Sequence, residues 1–345
     1  MTHYLPTMNT AIVILNWNGR KMLELFLPSV TTCCCENDEV IIADNGSTDD
    51  SLSWLSATYP SLRVIALDKN YGFAEGYNRA LQQVDADYFV LLNDDVEVTP
   101  GWTQPIVKLL ENSPNAAIAQ PKLLMYHQRD TFEYAGGAGG FVDQYGYPFC
   151  RGRLFSTLEK DEGQYDDPCP IFWASGAAMV IKARVWKELG GLDGDFFAHM
   201  EEIDFCWRAK NQGYDVLYCP QSTVYHVGGG TLPKSDPRKT YLNFRNNMAL
   251  LYKNLPEKGR HRKMALRMLL DGIAALKFLA EGHPKELKAV WEAHRDFLRW
   301  YPALKDKRSH LNPHEVSCIY QGNLLLDYYL RGHKKYSQLY SNKFS

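Results

Sequence analysis

The sequence predicts an α/β fold: a mainly parallel sheet flanked by helices, followed by a helical C-terminal segment. Two observations carry this. Four short apolar runs alternate with helix-compatible stretches in the first hundred residues, and polar clusters sit where the runs end. Alternating β and α elements imply a parallel sheet with right-handed crossovers.

Taken in order, the runs are 11–15 (AIVIL), 40–43 (VIIA), 64–67 and 88–92 (YFVLL), each bounded by polar residues or Gly, as buried parallel strands are. Helices are expected near 20–30, 48–58, 74–84 and 101–112, the second opened by Asp49-Asp50 and the last by Pro100-Gly101. Residues 121–170, rich in Gly, Tyr and acids, read as a long loop-rich excursion over a binding cleft. Regular structure resumes with a strand at 176–182, helices at 183–189 and 201–211, and a strand at 215–218. Beyond about 250 the chain reads as helical throughout. Between 263 and 281, Lys263, Arg267, Asp271, Lys277 and Glu281 share one side of a helical wheel, with Met, Leu, Ile and Phe on the rest. The expected division is therefore 1–250 and 251–345.

The 345 residues are 45% hydrophobic and 23% charged, a globular composition. Residues 1–250 hold 20 Lys/Arg against 31 Asp/Glu, and residues 251–345 hold 18 against 9. The basic segment is either a solvated helical face or a contact for something anionic, including peripheral contact with a membrane. No apolar stretch reaches the length of a spanning helix, and no secretory leader is apparent. The eight cysteines form no CxxC pair, which argues against structural zinc and fits reduced thiols in the cytoplasm.

In open α/β sheets ligands bind beyond the carboxyl ends of the strands. Asn16-Trp17-Asn18-Gly19, Asp44-Asn45-Gly46-Ser47 and Asn93-Asp94-Asp95 all fall there. Adjacent carboxylates suit a hard divalent ion bridging to nucleotide phosphates, although Asp also caps turns. His226 ends the run 223–225 ahead of Gly228-Gly229-Gly230, and is either a structural hydrogen-bonder or a ligand. Glu201-Glu202 complements a helix dipole or supplies a general base, while Asp204 and Arg208 make a structural i,i+4 pair.

Seven segments in order resemble the inverting glycosyltransferases of family 2, closest to their rhamnosyltransferase-like branch. They are ILNWN (14–18), ADNGSTD (43–49), NYGFAEGYN (70–78), LLNDD (91–95), ASGA (174–177), MEEIDFCWR (200–208) and YH (225–226). The resemblance covers roughly residues 10–250 and implies a GT-A-type fold whose sheet binds a nucleotide-sugar. It places nucleotide contacts at Asn16, Asn18, Asp44, Asn45, Asn70, Gly72, Asn78 and Asp94, with Mg²⁺ or Mn²⁺ on Asp95 and His226. It makes Glu202 the catalytic base, and gives Trp173, Ser175, Gly176 and Arg245 to the acceptor or phosphate. The implied donor is a UDP- or dTDP-sugar and the acceptor a surface glycan or lipid-linked glycan, with no role for nucleic acid. Two positions depart from the family pattern. Asn93 opens the motif usually written DxD, and Glu stands where the base is usually Asp, moving the carboxylate by roughly 1.5 Å. A nucleotidyltransferase and a catalytically inactive glycan-binding scaffold are the alternatives. The first would normally carry a Gly-rich basic phosphate loop after the first strand, which Asn16-Trp17-Asn18-Gly19 is not.

Overall fold

A computed structural model describes residues 8–228 and 236–345; the Gly229-Gly230 part of the glycine run lies outside the described residues. The expected alternation is present: β1 (Thr10–Asn16), α1 (Arg20–Cys33), β2 (Asp38–Asp44), α2 (Ser51–Thr58), β3 (Arg63–Ala66), α3 (Gly72–Leu81) and β4 (Tyr88–Asn93). β5 (Val96–Val98) and α4 (Thr103–Glu111) follow, then β6 (Ala116–Met125). β1 lies parallel between β2 and β4, and β3 extends β2 in parallel. Alternate side chains of β1 serve opposite faces. Ala11 and Val13 join one core with Ala74 and Tyr77 of α3, while Ile12 and Ile14 join another with Leu23 and Leu27 of α1. Burial on both faces is why the strands read as continuous apolar runs.

The middle of the chain departs from the expected loop. Residues 140–158 form β7 (Gly140–Asp143), β8 (Pro148–Cys150), β9 (Arg153–Leu154) and β10 (Thr157–Leu158), an antiparallel set forming a second sheet. β11 (Cys169–Ile171) and β12 (Ala178–Lys182) belong to the main sheet, followed by α5 (Ala183–Glu188), α6 (Glu201–Asn211) and β13 (Asp215–His226). The main sheet runs β11-β13-β6-β12-β4-β1-β2-β3, with β5 on β13. The expected strand at 215–218 and the run at 223–225 are one strand with a register shift between Cys219 and Thr223.

The last third comprises α7 (Pro237–Asn254), α8 (Arg260–Ala280), α9 (Pro284–Ser309), β14 (Ile319–Tyr320) and α10 (Leu324–Tyr329). It is therefore not helical throughout. β14 pairs in parallel with β7, and Tyr320, Tyr336 and Phe344 pack on Phe141 and Phe149. Strands this short gain their stability from non-local partners and leave little periodicity to read. Position 250, where the sequence suggests a boundary, falls inside α7.

α8 sits with part of its polar side inward. Arg267 and Asp271 are buried, with Arg267 Nε 2.7 Å from Asp271 Oδ1, and Arg267 Nη1 donating to Tyr145 O at 3.1 Å. His294 of α9 stands 3.1 Å from the other Asp271 oxygen. Removing one partner of a buried ion pair leaves an uncompensated charge, at a cost of about 3–5 kcal/mol. Arg267→Ala should therefore lower the urea midpoint by an amount equivalent to about 3 kcal/mol. An unchanged midpoint would mean that α8 is not anchored through this pair.

Candidate functional site

The sheet order assembles the site. β1, β2 and β4 point the same way, β12 runs against β4 and starts at their carboxyl edge, and β13 runs parallel to β6 to end there. Asn16, Asp44, Asn93 to Asp95, Ser175-Gly176 and His226 thus meet along one edge. Asn93 N–H donates to Ala177 O at 3.0 Å, and Val227 N–H to Asp95 O at 3.1 Å.

The first three loops are laced together by amides. Asn16 Nδ2 donates to Asp44 Oδ1 (2.8 Å) and Ser47 Oγ (3.0 Å), and its Oδ1 accepts from Gly19 N–H (3.1 Å). A Cβ on Gly19 would overlap Asp94 Oδ2 and Asn16 Oδ1, so only glycine fits there. Asn18, at φ 54°, accepts from the N–H groups of Thr48 and Asp49 at 2.7 and 3.2 Å. Asn45 donates to Asn70 Oδ1 (3.2 Å) and Gly72 O (3.0 Å), and Asn70 Oδ1 accepts from Gly72 N–H (2.8 Å). Gly72, at φ 76°, lies against Phe197. Asn78 is more than a turn into α3, joined to Leu192 O at 2.8 Å and Leu192 N–H at 2.9 Å instead of to the strand-end loops. These side chains fix the floor of the site. Trp17, which the motifs at 14–19 contain without a role, is 47% exposed beside them.

The acidic end is compact. Burial raises the Asp94 pKa to about 7, with Asp95 adding to the effect. Burial would also raise Asp95, but the charge of His226 and hydrogen bonds from His226 and Gly228 N–H hold it below the ordinary carboxylate value. His226 Nε2 lies 3.1 Å from Asp95 Oδ1, and Nδ1 lies 3.5 Å from Glu133 Oε1. Burial alone would lower the imidazole pKa; Glu133 and Asp95 outweigh it and raise it to about 10. An imidazolium between two buried carboxylates balances charge that a divalent ion would otherwise balance.

The residues present fit such an ion. The 3.1 Å separation is about that of two neighbouring ligands each ~2.1 Å from one octahedral ion. Glu133 is placed to orient the imidazole through its other nitrogen, as carboxylates do behind metal-bound histidines. No three His, Cys, Asp or Glu side chains among the described residues form a ready cage. Two protein ligands, completed by phosphate and water oxygens, is the usual arrangement for Mg²⁺. No local pattern marks Glu133, which stands in the stretch the sequence predicts as loop.

Glu202 stands at the same edge. A side chain at Gly176 would fall 3.1 Å from the Phe73 ring and 3.9 Å from Glu202 Cβ. Burial raises the Glu202 pKa to about 7, and Glu201 goes well above the ordinary value through burial and the Glu202 charge. Each has a buried Oε2 with no hydrogen-bond partner. Glu201 is fully buried, whereas Glu202 keeps some exposure, so Glu202 is the one that can meet a ligand. Asp204 pairs with Arg208 at 2.8 Å, as expected, and also with Lys253.

The backbone entering α6 is strained: Phe197, His199 and Met200 all have φ between 66° and 74°. Asn246 of α7 holds it, its Nδ2 donating to Phe196 O, Ala198 O and His199 O at 3.0, 2.9 and 2.8 Å. Arg245 donates to Asp195 O and Phe196 O at 3.2 Å each, so it braces the same turn. Trp173 is buried over Gly140 with Nε1 donating to Phe141 O, and Ser175 is buried with its N–H on Gln120 Oε1. Of the four residues expected at the acceptor or phosphate, only Gly176 borders Glu202 directly in these contacts.

Residues 11–174 match the family described as Glycosyl transferase family 2. The chain is 26% identical over 244 residues to the N-acetylglucosaminyl-diphospho-decaprenol L-rhamnosyltransferase of Mycobacterium tuberculosis, spanning 66% of this chain and 76% of that protein. It is 23% identical over 282 residues to the low-salt glycan biosynthesis hexosyltransferase Agl10 of Haloferax volcanii, spanning 79% and 85%. Among solved structures, S. aureus TarS 1-349 in complex with UDP-GlcNAc superposes with a TM-score of 0.53 at 15% identity, over 88% of this chain and 90% of that one. GalNAc-T7 with UDP, GalNAc and Mn²⁺ superposes with a TM-score of 0.58 at 15% identity, over 90% of this chain and 59% of that one. These likenesses show the GT-A fold.

The Asn246 contacts generate a test. Asn246→Asp keeps the size but turns a carboxylate toward three carbonyls, costing at least about 2 kcal/mol. It should lower kcat well beyond tenfold and raise the KM for donor by less, because Asn246 reaches the loop around Gly72 only through Phe197, whose O accepts from Phe73 N–H. A variant with normal kcat would show that the turn needs no such anchor.

Proposed function

We propose that this glycosyltransferase, whose residues 11–174 form a family 2 domain, is an inverting, metal-dependent enzyme. It moves a sugar from a UDP- or dTDP-sugar to a hydroxyl of a lipid-linked or surface glycan. The carrying observation is Glu202: a half-buried residue of raised pKa, with a buried, unpartnered carboxylate oxygen, at the edge that gathers Asp94, Asp95 and His226.

In this reading Asp44, Asn16 and the loop around Asn70 and Gly72 shape the base pocket, and Asp94 faces the ribose. Asp95 and His226 hold Mg²⁺ or Mn²⁺, which when bound supplies charge neutralisation to a departing diphosphate. Glu202 accepts the proton of the acceptor hydroxyl while that oxygen bonds to the anomeric carbon. The bond from that carbon to the diphosphate oxygen breaks, and its electron pair leaves with the nucleoside diphosphate. One displacement from the opposite face inverts the anomeric configuration. A base with a pKa near working pH combines adequate basicity with availability.

The names of the relatives support the acceptor class, since one acts on a decaprenol-linked N-acetylglucosamine. The solved structures holding UDP, UDP-GlcNAc and Mn²⁺ support the donor and the ion. No helix among the described residues is long and apolar enough to cross a membrane. A lipid-linked acceptor would bring the enzyme peripherally to the membrane's inner face.

Glu202→Gln retains shape and removes basicity. It should lower turnover by roughly 10²–10⁴-fold with little change in donor affinity. In the parent protein, turnover should rise with pH through about 7, and that limb should vanish in the variant. Stability gives an independent check. The folded pKa exceeds that of an ordinary glutamate, 4.5, so this group's contribution is complete below pH 4.5 and lost as pH rises through about 7. Glu202→Gln should therefore be more stable than the parent at pH 8, by something on the order of 3 kcal/mol, and not at pH 4. Normal turnover in Glu202→Gln, or NMR showing retained anomeric configuration, would overturn the assignment.

A further inference from the structure

We propose that the outward face of α8, with the cationic side of α9, seats this enzyme on an anionic lipid bilayer. The inference deepens the reading of a lipid-linked acceptor and rests on it only for its biological purpose.

A surface helix of a globular protein ordinarily turns its apolar stripe inward. α8 does the reverse. Its inward side carries Arg260, Met264, Arg267, Asp271 and Ala275. Its outward side carries Leu266, Leu269, Ile273, Leu276 and Leu279, exposed by 36, 62, 57, 64 and 49%. These five recur at the three- and four-residue intervals of one helical face, and the stretch 266–279 spans about 20 Å. The buried Arg267–Asp271 pair fixes which side faces out, so the exposure does not come from a loosely docked helix. α9 packs beside α8 and exposes Trp291 by 61% and Leu298 by 59%, seven residues apart on one side.

Charge selects the occupant. Residues 260–309 hold 12 Lys/Arg against 6 Asp/Glu, while residues 1–250 are acidic. A cleft of about 540 Å³ between α7 and α9 is lined by Arg238, Lys285, Lys288 and Arg295, against Glu292 and Asp296. An apolar stripe with a cationic surround matches acyl chains beneath anionic headgroups, the pattern of interfacial helices. A twofold pairing with a second copy would bring two cationic surrounds together, which like-charge repulsion opposes.

The test is flotation of the full-length protein with phosphatidylcholine vesicles, with and without phosphatidylglycerol. Binding should be at least roughly tenfold stronger with phosphatidylglycerol and should weaken as salt rises. The triple variant Leu269→Ser, Ile273→Ser, Leu276→Ser should lose flotation yet keep parental thermal stability and parental transfer to a short-chain, water-soluble acceptor. Lys285→Glu with Lys288→Glu should remove the preference for anionic vesicles. Flotation of the triple variant equal to the parent's overturns the proposal. So does a parent chain that light scattering finds dimeric and that the same three substitutions make monomeric. Absence of transfer to every acceptor would count against the proposed activity and leave the flotation result standing.

Discussion

Everything at the carboxyl edge of the sheet depends on the contact between Asp95 and His226. Asp95 follows β4, a central strand; His226 ends β13, three strands away across β12 and β6. Their 3.1 Å contact, with Val227 N–H on Asp95 O, draws the far half of the sheet against the half formed by β1 to β4. Two buried carboxylates, Asp95 and Glu133, flank His226, and half-buried Asp94 stands next to Asp95, so this acidic end calls for a cation. Asp95 and Glu133 favour the protonated imidazole of His226 as that cation, and a divalent ion bound through Nε2 would have to displace the proton. Ion binding at this edge is therefore linked to proton release.

Around that edge the molecule separates rigid from strained parts. Asn16, Asn18, Asn45 and Asn70 use their amides to tie three loops into one floor. Against one of these loops, the left-handed turn before α6 is held by Asn246 and Arg245 on its carbonyls and by Phe73 N–H on Phe197 O. α7 in turn is locked by Lys253, whose ammonium meets both Asp193 and Asp204. The C-terminal helices thus bear on the position of Glu202 without touching it.

The sequence disclosed those features that local chemistry determines. Buried parallel strands are continuous apolar runs, so β1 to β4 and their polar termini could be read directly, as could the Asp204–Arg208 pair. Three features were not legible. The small sheet of 140–158 is completed by β14, with Ile319 opposite Val142, and no local pattern announces so distant a partner. Glu133 gains its place from a fold that sets Phe132 against Leu124 and brings the neighbouring carboxylate to His226. The wheel of α8 showed two sides but not which one faces inward. That choice is made by Tyr145, Asn247 and His294, which receive Arg267 and Asp271 in the interior.

The central claim is that Asp95 and His226 form, with a nucleoside diphosphate, a divalent-ion site at this edge. Calorimetric titration of UDP into the protein, with Mn²⁺ and with EDTA, tests it most directly when run in two buffers of different ionisation enthalpy. The account predicts tight binding only with Mn²⁺, proton release on binding, and loss of both in Asp95→Asn, a protein that stays folded but melts lower because His226 loses its buried carboxylate partner. Equal UDP affinity with Mn²⁺ and with EDTA, or an Asp95→Asn protein that still binds UDP with Mn²⁺, would contradict it.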